Sequence, residues 1–292
     1  MNTSDYTVRF KQILLSTMKA FDAFCSQHQL EYMAAYGTVI GAVRHKGLIP
    51  WDDDIDVFMD WDNYQRFLSL KAEARETGYS IIDRKEEGYY LPIAKFADTH
   101  TTIWEHKFLP FVFGVYIDIF PLGYVNNIPE SRKLWELYRQ HSLLLTKAYT
   151  RFSWSKQNLA FAVKHPVEYT DYMIQRRKKD YHQRELDVLD GMIAGIREGD
   201  YRLYYRSMDD FERSLFKTEW FEKTIRVPFE DFDIPIPAGY HEYLTTAYGD
   251  YMTPPPVEKQ VTHHSHYYLN LQRGMSLREA QERVKLGEKL VF

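Results

Sequence analysis

The sequence predicts an α+β protein: a mixed sheet flanked by helices over residues 1–125, a helical segment over 126–230, and a shorter mixed tail over 231–292. Two patterns carry this reading. Short apolar or alternating runs of strand length are interspersed with stretches of 3.6-residue periodicity up to about residue 125. Beyond residue 130 the periodicity becomes helical, with Leu134, Leu137, Tyr138, His141 and Leu145 on one stripe.

The elements follow in order. Phe10, Leu14, Met18 and Phe21 recur at i, i+4, i+8 and i+11, which predicts a helix over 5–29. Glu31 to Ala35 reads as a short strand broken by Gly37, and Thr38 to Lys46 as a short helix stopped by Gly47. A loop containing Pro50 leads to Ile55, Val57 and Met59, which alternate with Asp54, Asp56, Phe58 and Asp60 as in a strand. Trp61 to Ala74 is helical. Tyr79 to Ile82, Tyr90 to Phe96 and Val115 to Phe120 are strands, the last ended by Pro121 and Gly123. The segment 130–220 is helical and rich in Arg and Lys. The tail holds mixed structure at Phe232 to Pro237, a helix near Tyr240 to Ala247 and a terminal helix over 278–285.

Composition narrows the class. Of 292 residues 45% are hydrophobic and 27% charged, as in a globular protein with a substantial core. A net charge of -4 argues against non-specific binding to nucleic acid. The single cysteine, Cys25, permits neither an internal disulfide nor a thiolate zinc site. Met1 to Phe10 has no apolar leader, and no apolar run approaches the ~20 residues that span a bilayer. The expectation is a cytoplasmic protein that meets any lipid-linked acceptor at the inner membrane face.

The chemistry concentrates between Ala35 and Val57. At Gly37 the backbone can turn tightly and approach a ligand, and Thr38 opens a helix whose free N–H groups and hydroxyl can hold a phosphate oxygen. Strand alternation then places Asp54 and Asp56 on one face, with Ile55 and Val57 toward the core. Neighbouring carboxylates repel and call for a cation. Hard oxygen ligands on a rigid strand suit Mg²⁺ or Mn²⁺ bridging substrate phosphates. Asp118, flanked by apolar residues in Val115 to Phe120, completes a three-acid cluster if its strand neighbours the first. An acidic pair on a strand edge is ordinarily just solvated; the glycine turn and the later isolated Asp set this one apart.

These residues resemble the LicD family of phosphocholine transferases, which is related to the fukutin-type proteins. The matching run is Gly37-Thr38, Gly41 to Gly47 and Ile49 to Asp56, joined by Lys95, Tyr116 to Pro121, and Tyr248 to Pro255. The likeness is strong over 30–60, good near 90–122 and 235–264, and weak over 125–225. It implies a nucleotidyltransferase fold and divalent-metal catalysis. The donor it implies is CDP-choline or another CDP-alcohol. The acceptor is a sugar hydroxyl of a surface glycan such as lipopolysaccharide or teichoic acid, or its precursor. Asp54, Asp56 and Asp118 would bind the metals, and Asp118 by preference would take the proton of the attacking hydroxyl. Arg44, Lys46 and Lys95 would neutralise the diphosphate.

Among the tail histidines, His263 or His264 would face the site, and His263 stands as the binding candidate; with His266 they are too close together for an ordinary zinc site. Asp250 is a further binding candidate or the start of a turn after Gly249, and Trp51 packs the loop or meets choline by cation–π contact. Thr38 stands where serine is commoner, and Gly123 where many relatives carry Asp, which leaves the acceptor open. The weakly matching segment 126–230 is expected to recognise that acceptor. Two other readings stay open: a catalytically silent nucleotide- or metal-binding module, and a nucleotidyltransferase proper that moves NMP.

Overall fold

A computed structural model describes residues 3–151, 156–205, 210–262, 264 and 266–291. Helix α1 (Thr3–Gln27) leads to β1 (Met33–Ala34), α2 (Tyr36–Ile40) and a wide π-helical turn at Gly41–His45. Next come β2 (Asp56–Asp60), α3 (Trp61–Ser69), α4 (Lys71–Glu76), β3 (Tyr79–Ile82), β4 (Ala94–Asp98), β5 (Thr102–Trp104) and β6 (Tyr116–Val125). The middle holds α5 (Ile128–Tyr149), α6 (Lys156–Lys164), α7 (Pro166–Arg177) and α8 (Lys179–Ala194), then β7 (Tyr201–Leu203) and β8 (Leu215–Lys217). The chain finishes with β9 (Thr224–Phe229), β10 (Phe232–Pro237), α9 (Tyr240–Tyr248), β11 (Tyr268–Asn270), α10 (Leu277–Lys285) and β12 (Leu290–Val291).

The architecture is α+β with mixed sheets. The main sheet runs β1-β2-β6-β4-β3, and β7 and β8 extend it from β6. β2 and β6 are parallel; the other pairs of this sheet are antiparallel. The apolar stripe of α1 lies against the sheet, with Phe10, Leu14, Met18 and Phe21 all at most 4% exposed. A second core forms between α5, α8 and the far end of β6, around Leu134, Tyr138, Leu186, Ile193 and Val125. β9 and β10 make a separate hairpin, and β11 joins β5 to β12 in a small third sheet.

Four expectations need correction. Strand β6 does not stop at Pro121; it continues to Val125. Asp118 donates its N–H to Ile55 O, so by alternation the missing N–H of Pro121 faces away from β2. β4 has left β6 by Ile119, and β7 joins only at Gly123, so that edge is open where the proline sits. The run from Tyr90 to Phe96 is strand only from Ala94, because Tyr90 to Ile93 is a loop. The helical character of 130–220 ends at Ala194, after which the chain returns to the main sheet. Finally, the helix from Trp61 divides at Leu70 into α3 and α4.

Candidate active site

β2 and β6 bring the acids together. Asp56 and Asp118 are direct partners in the parallel ladder, and Lys95 on β4 is the direct partner of Asp118 on its other side. Partners in register point to the same face, so three adjacent strands present Asp56, Asp118 and Lys95 in a row. Lys95 is 1% exposed, and its Nζ donates to Asp118 Oδ1 at 2.6 Å while lying 3.3 Å from the Tyr116 ring centroid. It is no surface lysine.

Asp54 precedes β2 rather than lying on it, so simple alternation does not place it. It nevertheless lines the same cavity as Asp56 and Asp52, a space of about 740 Å³. Burial holds the carboxyls of Asp54, Asp56 and Asp118 above the usual carboxylate range, Asp56 well above. Repulsion from Asp54 and Asp118 adds to the effect at Asp56. Asp52 is pushed up to about 7, first by burial and then by its neighbour Asp54. His264 Nδ1 sits 2.9 Å from Asp53 Oδ1 and its Nε2 3.8 Å from Asp54 Oδ2. The bond to Asp53 outweighs burial and lifts the imidazole to about 9.

The glycine turn works differently from expectation. The positive φ, +44°, belongs to Tyr36, and Gly37 lies inside α2. Gly37 leaves room for the Asp52 carboxylate: a Cβ there would stand 2.9 Å from Asp52 Oδ2, and the carboxylate would have to shift. Thr38 does not offer a free helix start either. Its N–H goes to Ala35 O, and its hydroxyl accepts the Asp56 N–H at 2.8 Å, tying α2 to the first residue of β2. The Tyr36 N–H goes to the Tyr243 hydroxyl.

Of the other candidates, Arg44 lines the cavity and donates to Tyr251 O at 2.6 Å. Lys46 is exposed and is not among the cavity-lining residues; it takes φ +60° to end the π-helical turn. Asp250 borders the cavity and also starts a turn, accepting from Thr253 N and Oγ1 after Gly249 ends α9. His263 lies outside the described residues. His266 Nδ1 meets the Tyr6 hydroxyl at 3.2 Å, close enough to Asp53, Glu105 and His264 to feel their charge.

Residue-level reading missed Glu105, whose carboxylate takes the Tyr90 and Tyr116 hydroxyls beneath Lys95. It also left Asp52 and Asp53 without roles, although their place in an acidic run beside Asp54 was visible. No spacing rule brings Tyr36, Phe120, Tyr204 and Tyr251, from four distant segments, to one wall.

The donor set suits a hard divalent cation. Asp52, Asp53, Asp54, Asp56 and Asp118 offer oxygens against the nearby cations Lys95 and His264, and Asp52, Asp54, Asp56 and Asp118 are hard to ionise without more positive charge. Among the described residues, the one set of three ligand atoms that all lie within 4.8 Å of one another comes from Asp53, Asp54 and His264; Asp54, Asp56 and Asp118 share the same region without closing to that spacing.

Residues 29–149 match the family model described as LicD/FKTN/FKRP, nucleotidyltransferase domain. The lipopolysaccharide cholinephosphotransferase LicD of Haemophilus influenzae is 31% identical over 268 residues, covering 88% of this chain and 96% of that protein. The chain belongs to the LicD family. An uncharacterised protein of Rickettsia typhi is 27% identical over 156 residues, 45% of this chain and 50% of its own length. A second, from Rickettsia prowazekii, is 24% identical over 159 residues, 45% of this chain and 60% of its own. In this LicD-family chain the family match ends near the C-terminus of α5, so it contains the whole row of Asp56, Asp118 and Lys95.

Proposed function

We propose that this chain has a nucleotidyltransferase-type catalytic fold and transfers phosphocholine, or a similar phosphoryl-linked alcohol, from a CDP-activated donor to a sugar hydroxyl of a surface glycan or its precursor. The observation that carries the reading is the Asp56–Asp118 register pair with Asp54 in the same cavity and Lys95 against Asp118. The Haemophilus relative, a lipopolysaccharide cholinephosphotransferase, supports the transferred group and the acceptor class.

Asp54, Asp56 and Asp118 would hold Mg²⁺ or Mn²⁺. The ion supplies Lewis-acid polarisation of phosphoryl oxygens and neutralises charge on the leaving group. The sugar oxygen bonds to the distal phosphorus, the bond from that phosphorus to the bridging oxygen breaks, and CMP leaves with the electron pair. Asp118 takes the hydroxyl proton in this reading; its Oδ1 is held by Lys95, which fixes the carboxylate's orientation. Arg44 lies on the cavity wall where a diphosphate would pass. The segment 126–230 would meet the acceptor. None of the described helices is long and apolar enough to cross a membrane. In this reading a lipid-linked acceptor would be met at the membrane surface.

The test is a panel of CDP-choline, other CDP-alcohols and CTP, with Mg²⁺ or Mn²⁺, with and without candidate glycans. CMP release from a CDP-alcohol is the expected product. Pyrophosphate release from CTP would instead mark NMP transfer, and binding without turnover a silent module.

A further inference from the structure

The acidic row does not fill its cavity. One step along the same two strands stand Phe58 and Phe120, again direct partners, on the face that carries Asp56 and Asp118. Two residues of strand span roughly 6–7 Å. Tyr36 and Tyr204 close over this aromatic step. Phe120 and Tyr204 have centroids 5.0 Å apart at 76°, Tyr36 and Phe120 5.8 Å apart at 89°, and Tyr36 and Tyr204 6.1 Å apart at 62°. Three rings at mutually steep angles form a corner, and all three border the cavity that Asp54 and Asp56 line.

We propose that the corner of Tyr36, Phe120 and Tyr204 seats a quaternary ammonium group and makes the site select a trimethylated headgroup over a primary ammonium one. The inference deepens the transferase reading above and rests on it for the identity of the substrate. Three arguments carry it. A rounded cation gains from several ring faces at once, each presenting its negative quadrupole. A flat cytosine can stack on one ring face only, so it would leave the other two rings of the corner unused. A primary ammonium must keep three N–H donors bonded, which aromatic faces satisfy only weakly, whereas a trimethylammonium has none to satisfy. Asp56 adds negative potential one strand step away, and Asp54 lines the same cavity, where the phosphoryl end and its cation would lie. The short spacer between phosphate and ammonium in phosphocholine matches that step.

The test is calorimetric titration of phosphocholine, phosphoethanolamine and CMP, each alone, with Mg²⁺ present. Wild type should bind phosphocholine roughly tenfold or more tightly than phosphoethanolamine. Phe120→Leu should weaken phosphocholine roughly 10- to 30-fold and leave CMP within about twofold, and Phe120→Tyr should restore binding. Equal affinity of wild type for the two headgroups overturns the proposal, and this comparison needs no variant to fold. So does a Phe120→Leu protein that loses CMP in step with phosphocholine, because the rings would then be stacking the base. Turnover is scored separately. If wild type released no CMP from CDP-choline, the transferase reading would fall, while the headgroup comparison would still decide what the corner binds.

Discussion

Asp56 is half-buried on the cavity wall, faces Asp54 and Asp118, and is tied through its own N–H to Thr38, so its charge is costly and its position fixed. A residue so placed trades stability for function. Asp56→Asn should cut CMP release by roughly 10²–10³-fold or more, the scale of losing one preorganised electrostatic contact. The same change removes one buried like charge, so in EDTA the variant should melt roughly 2–4 °C above wild type. A variant that kept turnover, or that melted lower in EDTA, would show that the acids are not held in mutual repulsion. Mg²⁺ should raise the melting temperature of wild type in proportion to the logarithm of its concentration, and Asp118→Asn should abolish that rise. Gly37 tests the geometry from another side. Gly37→Ala puts a Cβ 2.9 Å from Asp52 Oδ2 while favouring α2 by about 1 kcal/mol. It should fold normally and lose activity, read as a fall in kcat with a melting temperature no lower than that of wild type.

At the level of elements, the helical segment carries its own proton-sensitive joint. His182 Nε2 donates to Gln175 Oε1 at 2.9 Å, because the Gln175 amide is already spent on Asp171. The neutral His182 therefore accepts at Nδ1 from His141 Nδ1–H, 3.1 Å away, linking α5 to α8. Burial first, with His141 and Lys178 adding, lowers the pKa of His182; burial lowers that of His141, and Glu185 partly opposes both shifts. A folded pKa below the unfolded one means the unfolded chain binds more protons. The stabilisation is complete above about pH 6.5 and is lost as pH falls through the lowered values. Melting temperature should drop below that pH. The drop should flatten in a His141→Leu/His182→Leu protein, which pays about 1–3 kcal/mol for the orphaned Gln175. This joint was invisible in the sequence, since 41 residues separate the two histidines. By contrast, α1 was legible because one face of it meets a single core and period alone decides it; β3 was legible only as a short apolar run, since its burial does not alternate. β6 was misread at Pro121 because proline's meaning depends on which edge is paired, and pairing is a long-range fact. The short strands β5, β7, β8, β11 and β12 have two or three residues each, too few to show any period. The acids were legible as chemistry, yet their meeting depended on parallel pairing across 62 residues, from Asp56 to Asp118.

For the molecule as a whole, the site is assembled from both ends of the chain. The acids come from the first half, while His264, Asp250 and Tyr251 arrive from the last fifth. What holds that tail is the small sheet in which β11 pairs with β5, residue by residue from Tyr268↔Trp104 to Asn270↔Thr102. Just beyond it the chain presses on the turn before β5. Arg273 O accepts from the Thr102 hydroxyl at 2.7 Å, and a Cβ on Gly274 would stand 1.9 Å from Thr99 O. Backbone cannot step aside as a side-chain tip can, so Gly274→Ala must lift one turn off the other, at about 1–3 kcal/mol. Since His264 lies four residues ahead of β11, the lift reaches Asp53. The variant should therefore lose CMP release and become open to limited proteolysis near the tail, with every acid intact. His264→Ala separates the two consequences: it should share the loss of turnover while keeping the protease resistance of wild type. If Gly274→Ala instead left both readouts unchanged, the tail would be a passenger, and the site would be the property of the sheet alone.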